Sequence, residues 1–214
     1  MNIVAFLAYC IVVTFTPGPT NVVILATAQN HGPRAALRFA SGAGLALAVL
    51  IASSAVLNDM LLGLMPRIRL VMGVVGAAYM LYLAYRIYTS SPPRQAAADA
   101  SDDASETPPA AFGNIRGGAF AAGFAMQFVN PKVILFALTV ISGFVTPYAS
   151  SPLHTALYVL LITAIACSAL YSWVVLGAVL RRFLFTYRRQ ANLVMALFLV
   201  YCAFAVLNPP GVGA

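Results

Sequence analysis

Two long uncharged segments of this chain are each interrupted by proline, and these interruptions constrain the fold more than any other feature. The first interruption, TPGPTN at 16–21, lies within the uncharged stretch 1–30. The second, QFVNPK at 127–132, lies between the uncharged runs 117–131 and 133–180. Proline lacks a backbone donor and its ring clashes with the preceding helical turn, so a helix that enters either segment must break there.

The apolar character of the chain identifies its solvent as the lipid bilayer. Charged residues make up 8% of the sequence, whereas a soluble domain carries about 25%. A membrane-spanning helix needs about 20 mainly apolar residues. Six such segments predict an all-α integral membrane protein, although a broken first segment leaves five or seven spans open. The six predicted spans are about 3–28, 35–57, 68–88, 117–145, 153–180 and 190–207.

Basic residues divide unequally between the two sides of the predicted membrane. The connections after the first, third and fifth spans contain nine of the twelve Lys and Arg residues, and the opposite side contains Arg67 and Arg69. Because basic residues collect in cytoplasmic loops, both termini are predicted to be extracytoplasmic. The triplet at 26–28 fits a signal-peptide cleavage site, but no basic region precedes it, and we expect the first span to stay uncleaved.

Residues 89–115 differ in composition from everything around them. They contain four of the five acidic residues and begin and end near Pro-Pro pairs, which predicts a flexible cytoplasmic linker. The linker separates a three-helix repeat at 1–88 from a second repeat at 116–214, within a single transmembrane domain. Because each half has an odd number of spans, the halves have opposite orientations, which predicts an inverted 3+3 repeat with broken first and fourth helices.

The two breaks occupy matching positions in these halves. Pro17 and Pro131 each lie 14 residues after the predicted starts of their spans, at 3 and 117, which is about 21 Å along a helix. Matched breaks of this kind are typical of the binding site of a secondary transporter. The alternative is a pair of proline kinks that only shape the helices.

Each break is expected to begin a new half-helix inside the bundle. Thr16 can cap a helix that begins at Pro17, and Asn130 can cap one that begins at Pro131. The N–H groups at such a helix start attract a carboxylate. The carbonyls freed on the preceding half-helix attract an ammonium group. An α-amino acid carries both groups, so a zwitterionic amino acid is the predicted substrate class.

Lys132 is the only basic residue well inside a predicted span. Its charge needs a substrate carboxylate, freed carbonyls or water, unless its side chain reaches the membrane interface. Gln127 and Asn130 lie on the same helical face beside it, and Asn21 and Gln29 are expected to extend the polar surface of the first break. The predicted substrate-binding residues are Thr16, Pro17, Gly18, Pro19, Asn21, Gln127, Asn130, Pro131 and Lys132.

Three motifs resemble the lysine-exporter superfamily, whose members export amino acids from bacteria. They are P-G-P within 16–21, the G-A-A-Y-L element (here GAAYM at 76–80), and N-P-K at 130–132. Residues 31–32, 127–130 and 199–203 are similar to the cysteine/O-acetylserine exporter branch. The resemblance implies a multi-pass protein of the bacterial inner membrane that exports a small neutral amino acid or derivative. It also implies that the proton motive force drives export, by antiport with protons.

Other classes of function have less support in the sequence. An intramembrane enzyme lacks its usual motifs, since neither H-E-x-x-H nor G-x-S-x-G is present. A passive channel tolerates broken helices, but no filter-like repeat is visible. Asp59, at the end of the second span, is either a proton-coupling residue or an ordinary loop residue. No catalytic residue, metal, cofactor or nucleic-acid partner is predicted, and small residues along several spans leave a homodimer open.

Overall fold

The computed structural model describes residues 3–90 and 118–207, and the elements within these two ranges are all helical. The side chains of residues 59, 61–70 and 72 also lie outside the described part. The helices are α1 (Ile3–Phe15), α2 (Pro19–His31), α3 (Pro33–Val56), α4 (Asn58–Tyr88), α5 (Gly118–Phe128), α6 (Pro131–Val140), α7 (Pro152–Thr186) and α8 (Arg188–Leu207), and α6 continues as a π-helical turn at Ile141–Val145.

Both predicted breaks are present in the fold. Helices α1 and α2 meet at an angle of 44°, and α5 meets α6 with its π-helical turn at 62°. In the described residues, α3, α7 and α8 are long and apolar enough to cross a membrane, and each bent pair adds one candidate, giving three to five spans. The sequence predicted six, and the one not among these candidates is α4, many of whose side chains lie outside the described part.

Two predicted boundaries are wrong. The predicted connection between the second and third spans is helical, because α4 begins at Asn58 directly after α3. Arg67 and Arg69 are therefore part of a helix and not of a loop. Helix α7 continues to Thr186, past the predicted end at 180, since no proline or glycine follows Gly177 in that stretch to stop it. Most of the predicted linker, at 91–115, lies outside the described residues.

Each described range contains the same succession of helices. A short pair with a bend between its members is followed by two longer helices, in α1–α4 and again in α5–α8. The longer helices of the two ranges pack against their counterparts, α3 on α7 and α4 on α8.

Glycine allows α3 and α5 to cross with their backbones in contact. A Cβ atom on Gly42 would lie 2.0 Å from the carbonyl oxygen of Phe120. A Cβ atom on Gly123 would likewise lie 2.0 Å from the carbonyl oxygen of Phe39. No side chain fits at such distances, so these two glycines determine how closely the helices approach. Small residues serve the same purpose in many membrane bundles.

The buried apolar side chains form two main clusters, one on each side of the breaks. The first joins α2, α5 and the start of α3, with Ile24, Phe39 and Met126 among its members. The second joins α1, α6 and the middle of α7, with Phe6 and Ile162 among its members. Each broken helix pair runs from one cluster to the other, because α2 and α5 belong to the first and α1 and α6 to the second, so the breaks lie between the clusters.

The outer surface of the bundle is apolar. Val56 is 81% exposed, Val179 73% and Val194 66%. In water such a surface would associate, whereas in a bilayer it faces lipid tails. The exposed side chains therefore agree with the membrane location that the sequence composition predicts.

Candidate functional site

The first break differs from its prediction in the residue that starts the second half-helix. Gly18, with extended backbone angles of φ −155° and ψ 176°, is the N-cap of α2, and Pro19 is its first residue. Thr16 does not cap this helix, because its N–H and its hydroxyl both donate back to the carbonyl of Val12. A residue before a proline avoids helical backbone angles. Pro19 therefore keeps Gly18 extended, and α2 begins at the second proline of the motif and not at the first.

The second break forms as the sequence predicted. Asn130 is the N-cap of α6, and its side-chain oxygen accepts a hydrogen bond from the backbone N–H of Lys132 at 3.1 Å. Pro131 is the first residue of the helix. The capping asparagine and the following proline are a favoured pair at a helix start, which is why this boundary could be read from the sequence alone.

The Lys132 side chain reaches from the second break to the first. Its Nζ donates to the carbonyl oxygen of Thr16 at 2.7 Å and lies 3.5 Å from that of Pro17. Asn21 Nδ2 donates to the same Thr16 oxygen at 3.1 Å. Of the partners considered for this charge, the structure selects the carbonyls freed at the end of α1.

Thr20, which was not among the predicted site residues, also links the two breaks, since it reaches from the first break to the second. Its hydroxyl donates to Gln127 Oε1 at 3.1 Å and accepts from Asn130 Nδ2 at 2.9 Å. Gln127 Nε2 donates in turn to the carbonyl of Ala43 at 3.4 Å. Thr20, Gln127 and Asn130 are all almost fully buried. The sequence feature that could have identified Thr20 is its position in the first turn after the break. There its side chain lies at the same height along the bundle as the capping residue Asn130.

These groups line one pocket between the two breaks, of about 420 Å³ with its open mouth included. One wall is polar and the other is apolar. The polar wall consists of Thr14, Thr20, Asn21, Gln127, Asn130 and Lys132, with Gly18 beside them. The apolar wall consists of Val13, Leu47, Val133, Phe136, Ala166 and Leu170.

The predicted site residues thus divide into three groups. Five of them line the pocket: Gly18, Asn21, Gln127, Asn130 and Lys132. Thr16 and Pro17 contribute carbonyl oxygens to Lys132. Pro19 and Pro131 begin the two half-helices. The side chain of Asp59, the candidate for proton coupling, lies outside the described residues.

Gln29 was expected at the first break, but the structure places it in a separate polar cluster. It is 1% exposed, and its Nε2 donates to Asn192 Oδ1 of α8 at 3.3 Å. Asn192 Nδ2 donates in turn to the Ser90 hydroxyl at 3.0 Å. The error arose because Gln29 lies ten residues beyond Pro19 on the same helix, which is about 15 Å from the break.

A second, more polar pocket lies where α3 meets α4. Its lining includes Asn58, Thr146 and Thr155, from α4, the end of the π-helical turn and the start of α7. Asn58 is the residue before Asp59 in the sequence. Within the part of the chain that the structure describes, no group of three His, Cys, Asp or Glu residues could hold a metal ion.

The family model for LysE type translocators matches residues 11–208, and this range contains both breaks and the whole pocket. The chain belongs to the LysE type translocator family. Membership of this family identifies it as a transporter and not an enzyme, and the apolar exterior described above is that of a membrane protein.

Curated members of the LysE family match the chain along nearly its whole length. A protein of Klebsiella pneumoniae, named cysteine/O-acetylserine efflux protein, is 34% identical over 203 residues, which cover 95% of each chain. A protein of Escherichia coli with the same name is 32% identical over 202 residues, covering 94% of this chain and 95% of the relative. A protein of Salmonella choleraesuis, again with this name, is 32% identical over 206 residues, covering 96% and 97%. No solved structure matches the chain significantly.

Proposed function

We propose that this chain is a secondary transporter that exports a small neutral amino acid or derivative, such as cysteine or O-acetylserine, from the cytoplasm. The observation that carries the proposal is the close approach of a positive group and a pair of negative carbonyl dipoles where the two breaks meet. The uncapped start of α2 and the ammonium of Lys132 lie beside the carbonyl oxygens of Thr16 and Pro17. The names of the curated relatives support the substrate class and the outward direction.

In this proposal the substrate carboxylate binds at the start of α2. Gly18 has no side chain with which to cap this helix, whereas Asn130 caps α6. The first N–H groups of α2 are therefore left for a ligand, and a helix start favours an anion. Gly18, Thr20 and Asn21 line the pocket at this point. Lys132 adds a full positive charge that can form a charge-assisted hydrogen bond with the same carboxylate.

The substrate ammonium binds the carbonyl oxygens of Thr16 and Pro17. In an unbroken helix these oxygens would accept from the N–H groups four residues later, at Thr20 and Asn21. The extended backbone of Gly18 removes that pairing. The apolar wall around Leu47 and Phe136 then receives the substrate side chain. A wall of this kind favours a small uncharged side chain over a basic or acidic one.

The membrane arrangement that goes with this site is the inverted 3+3 repeat. The repeated succession of helices in α1–α4 and α5–α8 supports it, with α4, at 31 residues, serving as the sixth span. The distribution of basic residues supports extracytoplasmic termini in a bacterial inner membrane. A homodimer is compatible with the small residues on several helices.

Export by this transporter is driven by the proton motive force, in antiport with protons. Asp59 is our candidate for the residue that takes up the proton, because it is the only acidic residue outside the linker segment. The polar pocket at Asn58, its neighbour in the sequence, supports access of water to this region.

Efflux from preloaded cells tests the proposal. Cells that overproduce the protein are loaded with a panel of labelled amino acids and O-acetylserine, and the retained label is followed with and without a protonophore. We expect faster loss of one or a few small neutral substrates, abolished by the protonophore. Lys132→Ala should export poorly, whereas Arg182→Ala, which removes a charge outside the pocket, should export normally.

Three results would contradict parts of this proposal. If no substrate in the panel responds to overproduction, the export function is wrong. If export persists unchanged with a protonophore and simply follows the gradient, a passive channel replaces the coupled transporter. If Lys132→Ala exports as well as the unaltered protein, Lys132 does not bind the carboxylate.

A further inference from the structure

We infer that the ammonium group of Lys132 occupies the subsite that would bind a substrate's ammonium group, and that only a zwitterion can take its place. The substrate's amino group replaces Lys132 at the carbonyls of Thr16 and Pro17, while the substrate's carboxylate becomes the new partner of Lys132. This inference rests on the proposed function. It adds an exchange of partners that makes the pocket selective for molecules that carry both charges.

The contacts of Lys132 define the subsite. Its Nζ lies 2.7 Å from the Thr16 oxygen and 3.5 Å from the Pro17 oxygen, and these are the carbonyls that the first break frees. Asn21 Nδ2 holds the Thr16 oxygen in place at 3.1 Å. A fixed carbonyl pair with a primary ammonium against it is the arrangement that an amino acid's α-ammonium needs, here filled by the protein's own side chain.

Lys132 has no carboxylate partner in the described part of the chain. Four of the five acidic residues belong to the segment 99–106, and the fifth is Asp59, whose side chain is not described. Within that part, the partners that its Nζ contacts are carbonyl dipoles. A carboxylate is a much stronger partner for an ammonium group than a neutral carbonyl is. Lys132 will leave the carbonyls when a carboxylate arrives, provided that another cation takes over the oxygens it vacates.

This condition makes single charges poor ligands. A simple amine that enters the subsite displaces Lys132 from the Thr16 and Pro17 oxygens and leaves two positive charges beside each other with no anion between them. A simple carboxylate attracts Lys132 but leaves the Thr16 and Pro17 oxygens unpaired. A zwitterion satisfies both groups at once. The exchange also replaces a direct link between α6 and the end of α1 with a link through the substrate.

Gly18 provides the room in which the Lys132 side chain lies. A Cβ atom at position 18 would be 3.1 Å from both Cδ and Nζ of Lys132, closer than ordinary contact. The lysine stem thus passes directly over the glycine that separates the two half-helices. Gly18 therefore has two effects. It leaves the start of α2 uncapped, and it permits Lys132 to reach the carbonyls of Thr16 and Pro17.

Amine binding to a neutral variant tests the exchange. Full-length protein and the Lys132→Met variant, each in lipid nanodiscs, are titrated with ethylammonium chloride by isothermal calorimetry. We expect the variant to bind ethylammonium about tenfold more tightly than the unaltered protein does, the equivalent of one charge-assisted hydrogen bond. Arg182→Met, which removes a positive charge elsewhere, should bind it as the unaltered protein does. Equal ethylammonium affinity in Lys132→Met and the unaltered protein would overturn the inference.

A spectroscopic measurement keeps the inference testable if Lys132→Met fails to fold. Lys132 is the only lysine of the chain, so labelling with ¹⁵N-lysine gives a single side-chain Nζ signal. We expect this signal to shift when an exported amino acid is added and to stay in place when ethylammonium is added. An exported amino acid that leaves the signal unchanged would refute the exchange while leaving the proposed function intact. Absence of any exported amino acid would instead refute the proposed function.

Discussion

Asn130 Nδ2 lies 2.9 Å from Thr20 Oγ1, so the residue that caps α6 is bonded to the first turn of α2. This hydrogen bond joins residues 110 positions apart and fixes the two half-helix starts relative to each other. The Lys132 contact with Thr16 makes a second connection between the same two breaks. The pocket therefore has two polar cross-links, one buried at Thr20 and one partly exposed at Lys132.

Removing the Thr20 hydroxyl should disable the pocket without changing its volume. In Thr20→Val, Gln127 Oε1 and Asn130 Nδ2 lose a partner in a buried site, which costs about 1–3 kcal/mol per unsatisfied group. We expect strongly reduced export and a lower melting temperature of the purified protein. Thr20→Ser retains the hydroxyl and should preserve most of the export activity. Equal activity in the valine and serine variants would show that the hydrogen bonds of Thr20 are dispensable.

The two roles of Asn130 should separate in a pair of substitutions. Ser at position 130 can still accept from the N–H of Lys132 but lacks the side-chain amide that donates to Thr20, whereas Ala loses both hydrogen bonds. We expect Asn130→Ala to be less stable than Asn130→Ser by about 1 kcal/mol, the usual value of an N-cap. Both variants should export poorly, because both lack the link to Thr20. Thermal unfolding and efflux assays measure the two effects independently.

The prolines of the first break should differ in importance. Pro19 holds Gly18 in the extended conformation that separates α1 from α2, whereas Pro17 lies one residue before it. Pro19→Ala restores a backbone donor and permits the helix to close over the freed carbonyls. We therefore expect Pro19→Ala to export less than Pro17→Ala. The reverse order in an efflux assay would mean that Pro17 sets the break.

The crossing of α3 and α5 should be the position in the described bundle most sensitive to a single methyl group. In Gly123→Ala the new Cβ would overlap the Phe39 carbonyl, and the helices must move apart, at a cost of about 3 kcal/mol. Gly143→Ala is a matched control, since nothing lies within 4 Å of a Cβ there. We expect a large drop in folded yield and melting temperature for the first variant and little change for the second.

The Gln29–Asn192 pair should behave as a unit in a double-mutant cycle. Asn192→Leu leaves the buried Gln29 amide without the acceptor it now uses, so we expect a loss of about 1–3 kcal/mol. Adding Gln29→Leu removes the stranded group and should restore part of that stability. If the effects of the two substitutions simply add in thermal unfolding, the pair contributes no coupling energy.

Local chemistry explains which parts of the site could be predicted. The second break was predicted correctly because Asn130 and Pro131 are adjacent, and capping depends on neighbours in the chain. At the first break the half-helix begins at Pro19, two residues after the predicted Pro17, because the Thr16 side chain has a different hydrogen-bond partner. Its hydroxyl bonds back to Val12, as threonine often does within helices, and capping propensity alone cannot decide between these outcomes.

The sequence by itself determined that the chain is helical, that it resides in a membrane, and that two helices break, one within 16–21 and one at Pro131. These properties follow from apolar content and from the geometry of proline, which act over a few residues. Tertiary structure alone decided that Thr20 joins the two breaks, that Lys132 binds the Thr16 carbonyl, and that Gln29 pairs with Asn192 elsewhere. Each of these contacts joins residues more than 100 positions apart, so it depends on how the helices pack and not on neighbouring residues.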